Sequence, residues 1–119
     1  MKTLRFFALL FGLCLAIPAG NVGNGSTTCP ASGSKRISSI SLRSITFTVQ
    51  APNGSGGTTA NMGTITLGGS GVTSTTAVSL GAGDAYTFPA AASTAQYDLT
   101  QIYFACSNSA DSIVYTYLQ

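Results

Sequence analysis

From Arg36 onward, apolar residues recur at every second position in short runs separated by glycine, proline or small polar residues. That period of two belongs to half-buried strands, not to helices. "RISSISLRSITFTVQAP" places Ile40 and Leu42 on one parity and Ile45, Phe47 and Val49 on the other, so the chain must bulge, bend or divide into two short strands at Arg43 and Ser44. "PNGSGG" turns the chain, its Asn53-Gly54 pair suiting positive backbone dihedrals. "GTITLGG" sets Ile65 and Leu67 on one face, and "TAVSLGAGDAYTFP" reads as strand, tight turn, strand, ended by Pro89. In "LTQIYFACS" and "SIVYTYLQ" both faces are apolar or amphipathic, which predicts a hairpin at the centre of a sheet with "SNSAD" as its loop and Phe104 and Val114 in the core.

About seven or eight such strands, with turns every 8 to 12 residues, predict an all-β domain, an antiparallel sandwich or jelly-roll-like barrel. It spans 37–119. No segment after Pro18 carries a helical period. Residues 20–36, with the stretch "NVGNGSTTCPASGSK", show no periodicity and are expected to form an extended arm or linker. Residues 1–19 are different again. "MKTLR" followed by the apolar run "FFALLFGLCLAI" and then "PA" has the form of a secretory signal peptide, cut after Ala19; a retained apolar anchor, a packed terminal helix and a misassigned start are the alternatives.

Charged residues make up only 7% of the 119 residues, against roughly 25% in ordinary soluble domains. A surface so poor in charge has little electrostatic defence against association, which suits a protein packed against copies of itself or its neighbours. The formal charge of +2 belongs to Lys2 and Arg5. After residue 19, Lys35, Arg36 and Arg43 balance Asp84, Asp98 and Asp111, and the net charge is zero. Three cations are too few for a dedicated nucleic-acid binder, so no nucleic acid is expected as a partner. Their grouping still makes Lys35, Arg36 and Arg43 either a solvated strand entry or a basic docking patch.

The chain has no histidine and no glutamate, so Ser-His-Asp, Cys-His and paired-Glu mechanisms lack their base, and the chain is read as non-enzymatic. The aspartates are expected to cap turns. No cofactor and no metal site is expected: two isolated cysteines without histidine cannot make a zinc shell, and the glycine clusters precede no helix that could hold a phosphate. Once Cys14 is removed, Cys29 and Cys106 are an even pair, either disulfide-bonded in an oxidising compartment or free, with Cys106 a buried thiol. "NGS" at Asn24 and Asn53 matches the glycosylation tripeptide. The threonine pairs of "TFT" and "TIT" belong to solvated strand faces, although flat ice-binding surfaces use the same feature. Tyr103, Tyr115 and Tyr117 are the candidate interface residues, with core packing or stacking on a sugar as other uses for them.

The succession "NMGTITLGGSGVTSTTAVSLGAGDAYTFP" and "YDLTQIYFACSNSADSIVYTYL" resembles small β-sandwich structural proteins of bacteriophage particles. The matching features are the turn Gly68–Val72, the stretch Leu80–Asp84, the aromatic strand Tyr86–Phe88 and Asp98–Tyr103, and the likeness covers Ile45 to Leu118. It implies a non-enzymatic head-decoration, fibre or tail-associated component of the virion. Its partners would be copies of itself and other virion proteins, met through sheet faces and edges. The secretion-like leader departs from that pattern. It fits a virus with a membrane, touched only by a retained N-terminal segment, or a secreted bacterial surface adhesin or module that binds a host glycan.

Overall fold

In the computed structural model, which describes residues 20–55, 58–73, 77–90 and 95–119, the chain is all-β, with antiparallel sheets packed as a sandwich. The strands are β1 (Val22–Thr28), β2 (Ser34–Arg36), β3 (Arg43–Ser44), β4 (Thr46–Gln50), β5 (Ile65–Gly68), β6 (Val78–Leu80), β7 (Ala85–Phe88), β8 (Tyr97–Asp98), β9 (Tyr103–Cys106) and β10 (Ser112–Leu118). Sheet A runs β1-β10-β4-β7, sheet B runs β2-β9-β5-β6, and β3 pairs with β8 in a small third ladder. The signal-peptide reading of residues 1–19 lies outside the described residues.

Alternation places the core between the two sheets. Phe47 and Val49 of β4 and Ile113 of β10 point inward from sheet A; Ile65, Leu67, Leu80 and Phe104 point inward from sheet B, and all are buried. Phe47 stacks on Phe88 with ring centroids 4.1 Å apart, and Tyr97 meets Phe47 edge-on at 5.3 Å, an arrangement that suits the ring quadrupoles. The parity switch at Arg43 and Ser44 is a division into two strands, β3 and β4, separated by a half-exposed Ile45. Ser44 there is fully buried, its hydroxyl donating to the Leu118 carbonyl at 2.8 Å, so the break is anchored by hydrogen bonding to the last strand. Ile40, expected to alternate on a strand, sits in the connection before β3 and is 65% exposed.

Three expectations are corrected. The segment 20–36 is no arm: β1 pairs with β10 along its whole length, from Val22↔Leu118 to Thr28↔Ser112, and β2 pairs with β9. Its lack of apolar alternation has a physical cause. Gly23 and Gly25 lie opposite Tyr117 and Tyr115, and a methyl group at either glycine would collide with the facing ring, so the large partner of each pair is supplied by β10. Next, β9 and β10 form no hairpin, because β9 belongs to sheet B and β10 to sheet A; the loop Ser107–Asp111 arches between the layers. The turn after β6 does the same, crossing from sheet B to sheet A with Gly83 at φ 89°. Finally, the inward residue of β10 is Ile113, and Val114 faces outward, half-buried. Placing the two strands in facing layers inverts the parity that a flat hairpin would impose.

Candidate functional site

On one side of the sandwich the edge strands β1 and β2 lie one above the other and leave a cleft of about 710 Å³, lined by Asn24, Ser26, Ile40, Leu42, Tyr115 and Tyr117 among others. Tyr115 and Tyr117 stand side by side on β10, ring centroids 6.3 Å apart and planes 28° from parallel. Each is half-buried against the core while its ring covers a glycine of β1. Burial pushes the Tyr115 hydroxyl above its ordinary value of 10.0, and the neighbouring Tyr117 adds to the rise. These tyrosines therefore form the inner wall of the cleft and are not on an open face. Tyr103 is elsewhere, on β9 of sheet B, where its hydroxyl accepts from Arg36 Nε at 2.8 Å and its ring lies 5.7 Å from the guanidinium. The structure does not bring the three tyrosines together.

The three cations are equally divided. Lys35 reaches across the mouth of the cleft and donates from Nζ to the Thr28 carbonyl at 3.0 Å, linking the edge of sheet B to the edge of sheet A. Arg36, its neighbour on β2, is turned to Tyr103. Arg43 stands opposite Asp98 in the β3–β8 pair. Hydrogen bonds from Thr100 hold the Asp98 carboxyl below its ordinary value, with smaller help from Ser41 and the Arg43 charge.

Two of the aspartates brace their own turns: Asp98 accepts from Thr100, and Asp84 accepts the Gly81 N–H at 2.8 Å. Asp111 does something else. It is buried, and its two oxygens accept the N–H groups of Met62 and Gly63 at 2.9 and 2.8 Å, fastening the segment before β5 to the arch before β10. Asn61 strengthens the same joint by exchanging two hydrogen bonds with the Ser112 backbone. Asp111 is thus no turn cap, and no local spacing could have paired it with residues so far away in the chain. Next to it, Cys29 and Cys106 form a disulfide between the end of β1 and the end of β9, so sheets A and B are covalently tied. Among the described residues there is no group of three or more Cys, Asp, Glu or His side chains placed to hold a metal.

The feature that sequence reading missed is the outer face of sheet A. Its four strands carry no Lys, Arg, Asp or Glu. Asn24, Thr116, Thr48 and Thr87 run in register across all four strands, and the Thr48 and Thr87 hydroxyls are hydrogen-bonded at 2.8 Å. Val22, Leu118 and Thr46 form the next row, and Ser26, Val114, Gln50 and Ala85 another. The signal was present as "TFTVQ" and "VYTYL", but only the register turns isolated threonines into a continuous, uncharged surface. No protein-family model, no curated protein and no solved structure matches the chain.

Proposed function

We propose that this protein is a non-enzymatic structural subunit of a virus particle, a capsid-decoration, fibre or tail-associated component that assembles through the outer face of sheet A and the edge at β1. One observation carries the reading: four strands lie side by side with no ionisable Lys, Arg, Asp or Glu among them, and the charges of the described residues lie outside this sheet. Such a face meets a copy of itself or a neighbour without the cost of desolvating charge. The resemblance to phage structural proteins supports the same assignment.

The test places charge on the face without touching the core. Thr48→Lys and Thr116→Lys are expected to stay folded, the former with a small drop in melting temperature from the lost Thr48–Thr87 hydrogen bond, and to be lost from purified particles, measured by mass spectrometry of particle composition. Particles that take up both variants at the wild-type level overturn the reading.

A second reading, a secreted surface adhesin or glycan-binding module, is favoured by the cleft, whose lining includes stacked Tyr115 and Tyr117 together with Ser38 and Ser39. It predicts saturable glycan binding by the wild-type monomer, and binding that survives the two lysine substitutions.

A further inference from the structure

We propose that β1 is a homotypic docking edge: two copies of this chain pair antiparallel through β1 about a two-fold axis at Asn24, fusing their sheets A into one eight-stranded sheet. The inference rests on the subunit reading above and names its contact.

The hydrogen bonding of β1 fixes which of its backbone groups are unused. Asn21 and Gln119 exchange N–H···O bonds at 3.2 and 2.9 Å, and Cys29 N–H donates to the Asp111 carbonyl at 2.9 Å. In an antiparallel ladder such rungs recur at every second residue, so Gly23, Gly25 and Thr27 also bond to β10. The N–H and C=O groups of Val22, Asn24, Ser26 and Thr28 therefore point away from the sheet. Independent support comes from Lys35, whose Nζ reaches the Thr28 carbonyl from that side. Lys35 closes the edge at Thr28, and the outward N–H and C=O groups of Val22, Asn24 and Ser26 have no partner among the described residues.

The other edges of the two four-stranded sheets are guarded. β2 carries Lys35 and Arg36 within three residues, and β6 and β7 are three and four residues long and approach one another on the far side of the sandwich. β1 has seven residues, no charge and no proline, the profile of an edge open to strand addition. Its inward positions Gly23 and Gly25 are covered by the rings of Tyr117 and Tyr115.

The occupant is a second copy because β1 is compatible with itself. About Asn24, the outward groups of Asn24 meet their equivalents and Val22 meets Ser26 of the second copy, with no like charges opposed. The two Lys35 clasps fall at opposite ends, about 26 Å apart at the strand rise, well beyond the screening length. Val22, 67% exposed at this edge, gains cover. Five residues per strand bury less than the roughly 1,000 Å² of a stable interface, so the dimer is weak in free solution and is strengthened by repetition within an assembly.

Sedimentation of the full chain over a concentration series, up to about 1 mM given a weak contact, tests this. The wild type is expected to dimerise, with slowed amide exchange at Val22, Asn24 and Ser26. Asn24→Pro and Ser26→Pro remove N–H groups that the monomer does not use, and should leave a folded monomer at every concentration. If these prolines unfold the chain, Asn24→Cys replaces them: at the axis the two Cα atoms would be about 5.5 Å apart, within disulfide reach, and mild oxidation should yield a dimer cross-linked at residue 24. A wild type that stays monomeric, or an Asn24→Cys that gives no such cross-link, overturns the edge. A dimer that survives Asn24→Pro and is dissociated by Thr48→Lys also overturns it, while leaving the subunit reading in place; normal uptake of Thr48→Lys and Thr116→Lys into particles is the failure specific to that reading.

Discussion

On sheet A the positions facing away from the core are threonine, serine, asparagine, glutamine and a few aliphatic residues, none of them buried; on sheet B the central outward position, Thr66 beside Ala105, is buried, and the edge strand carries two cations. Both sheets obey the same alternation and share one core. What differs is what each does with its second face. β5 is enclosed on both sides, as a strand that only supports a core would be, whereas β10, equally central, has one face in the core and the other in water. Sheet B reads as the wall of the sandwich and sheet A as its accessible, uncharged surface.

The contrast can be broken at the tie between the layers. Replacing Cys29 and Cys106 together with alanine removes a crosslink spanning 77 residues, which the chain-entropy model values at about 4.5 kcal/mol as an upper figure. Urea unfolding should show a loss approaching that size, and a loss under about 1 kcal/mol would mean that the sheets hold each other by packing alone. Phe104→Ala in sheet B should cost about 3–5 kcal/mol, and Val114→Ala on the outer face of sheet A less than about 1.5. Equal costs would erase the distinction between wall and surface.

A smaller effect sharpens the picture at β1. Gly25→Ala should destabilise by about 1–3 kcal/mol because the Tyr115 ring must move, and pairing it with Tyr115→Ala should recover part of the loss in a double-mutant cycle. Additive losses would show that ring and glycine do not touch. The smallest effects are those of pH. Tyr115 has a raised hydroxyl in the folded state, so its contribution is complete below pH 10 and is lost as pH climbs through the folded value; Tyr115→Phe should flatten that alkaline decline. Asp98 behaves oppositely. Its lowered carboxyl contributes above the ordinary value of 3.8 and loses that contribution as pH falls through the folded one, a slope that Asp98→Asn should remove.

Much of β4 and β5 was legible because Phe47, Val49, Ile65 and Leu67 alternate with threonine, glutamine or glycine. β1 was not, since its inward positions Gly23 and Gly25 are glycine for the sake of tyrosines some ninety residues later, a correlation that no local window contains. The arch at Ser107–Asp111 was misread because a short polar loop looks the same whether its strands are neighbours in one sheet or stacked in two. Of the site, the cations and tyrosines were visible as residue types. Their separation, and the threonine row they leave uncovered, follow only from register.

The place of β10 bears on the order in which the molecule can form. It lies between β1 and β4, two strands that come much earlier in the chain, and without it neither has its neighbour on that side. During synthesis, sheet A must therefore wait for its last-made strand, with β1 unpaired and the inward side chains of β4 open at one flank. Closing contacts between such distant segments costs loop entropy before any pairing repays it, which places this fold among slow folders of the millisecond-to-second class. The continuous uncharged surface of sheet A therefore comes into being only when β10 joins β1 to β4.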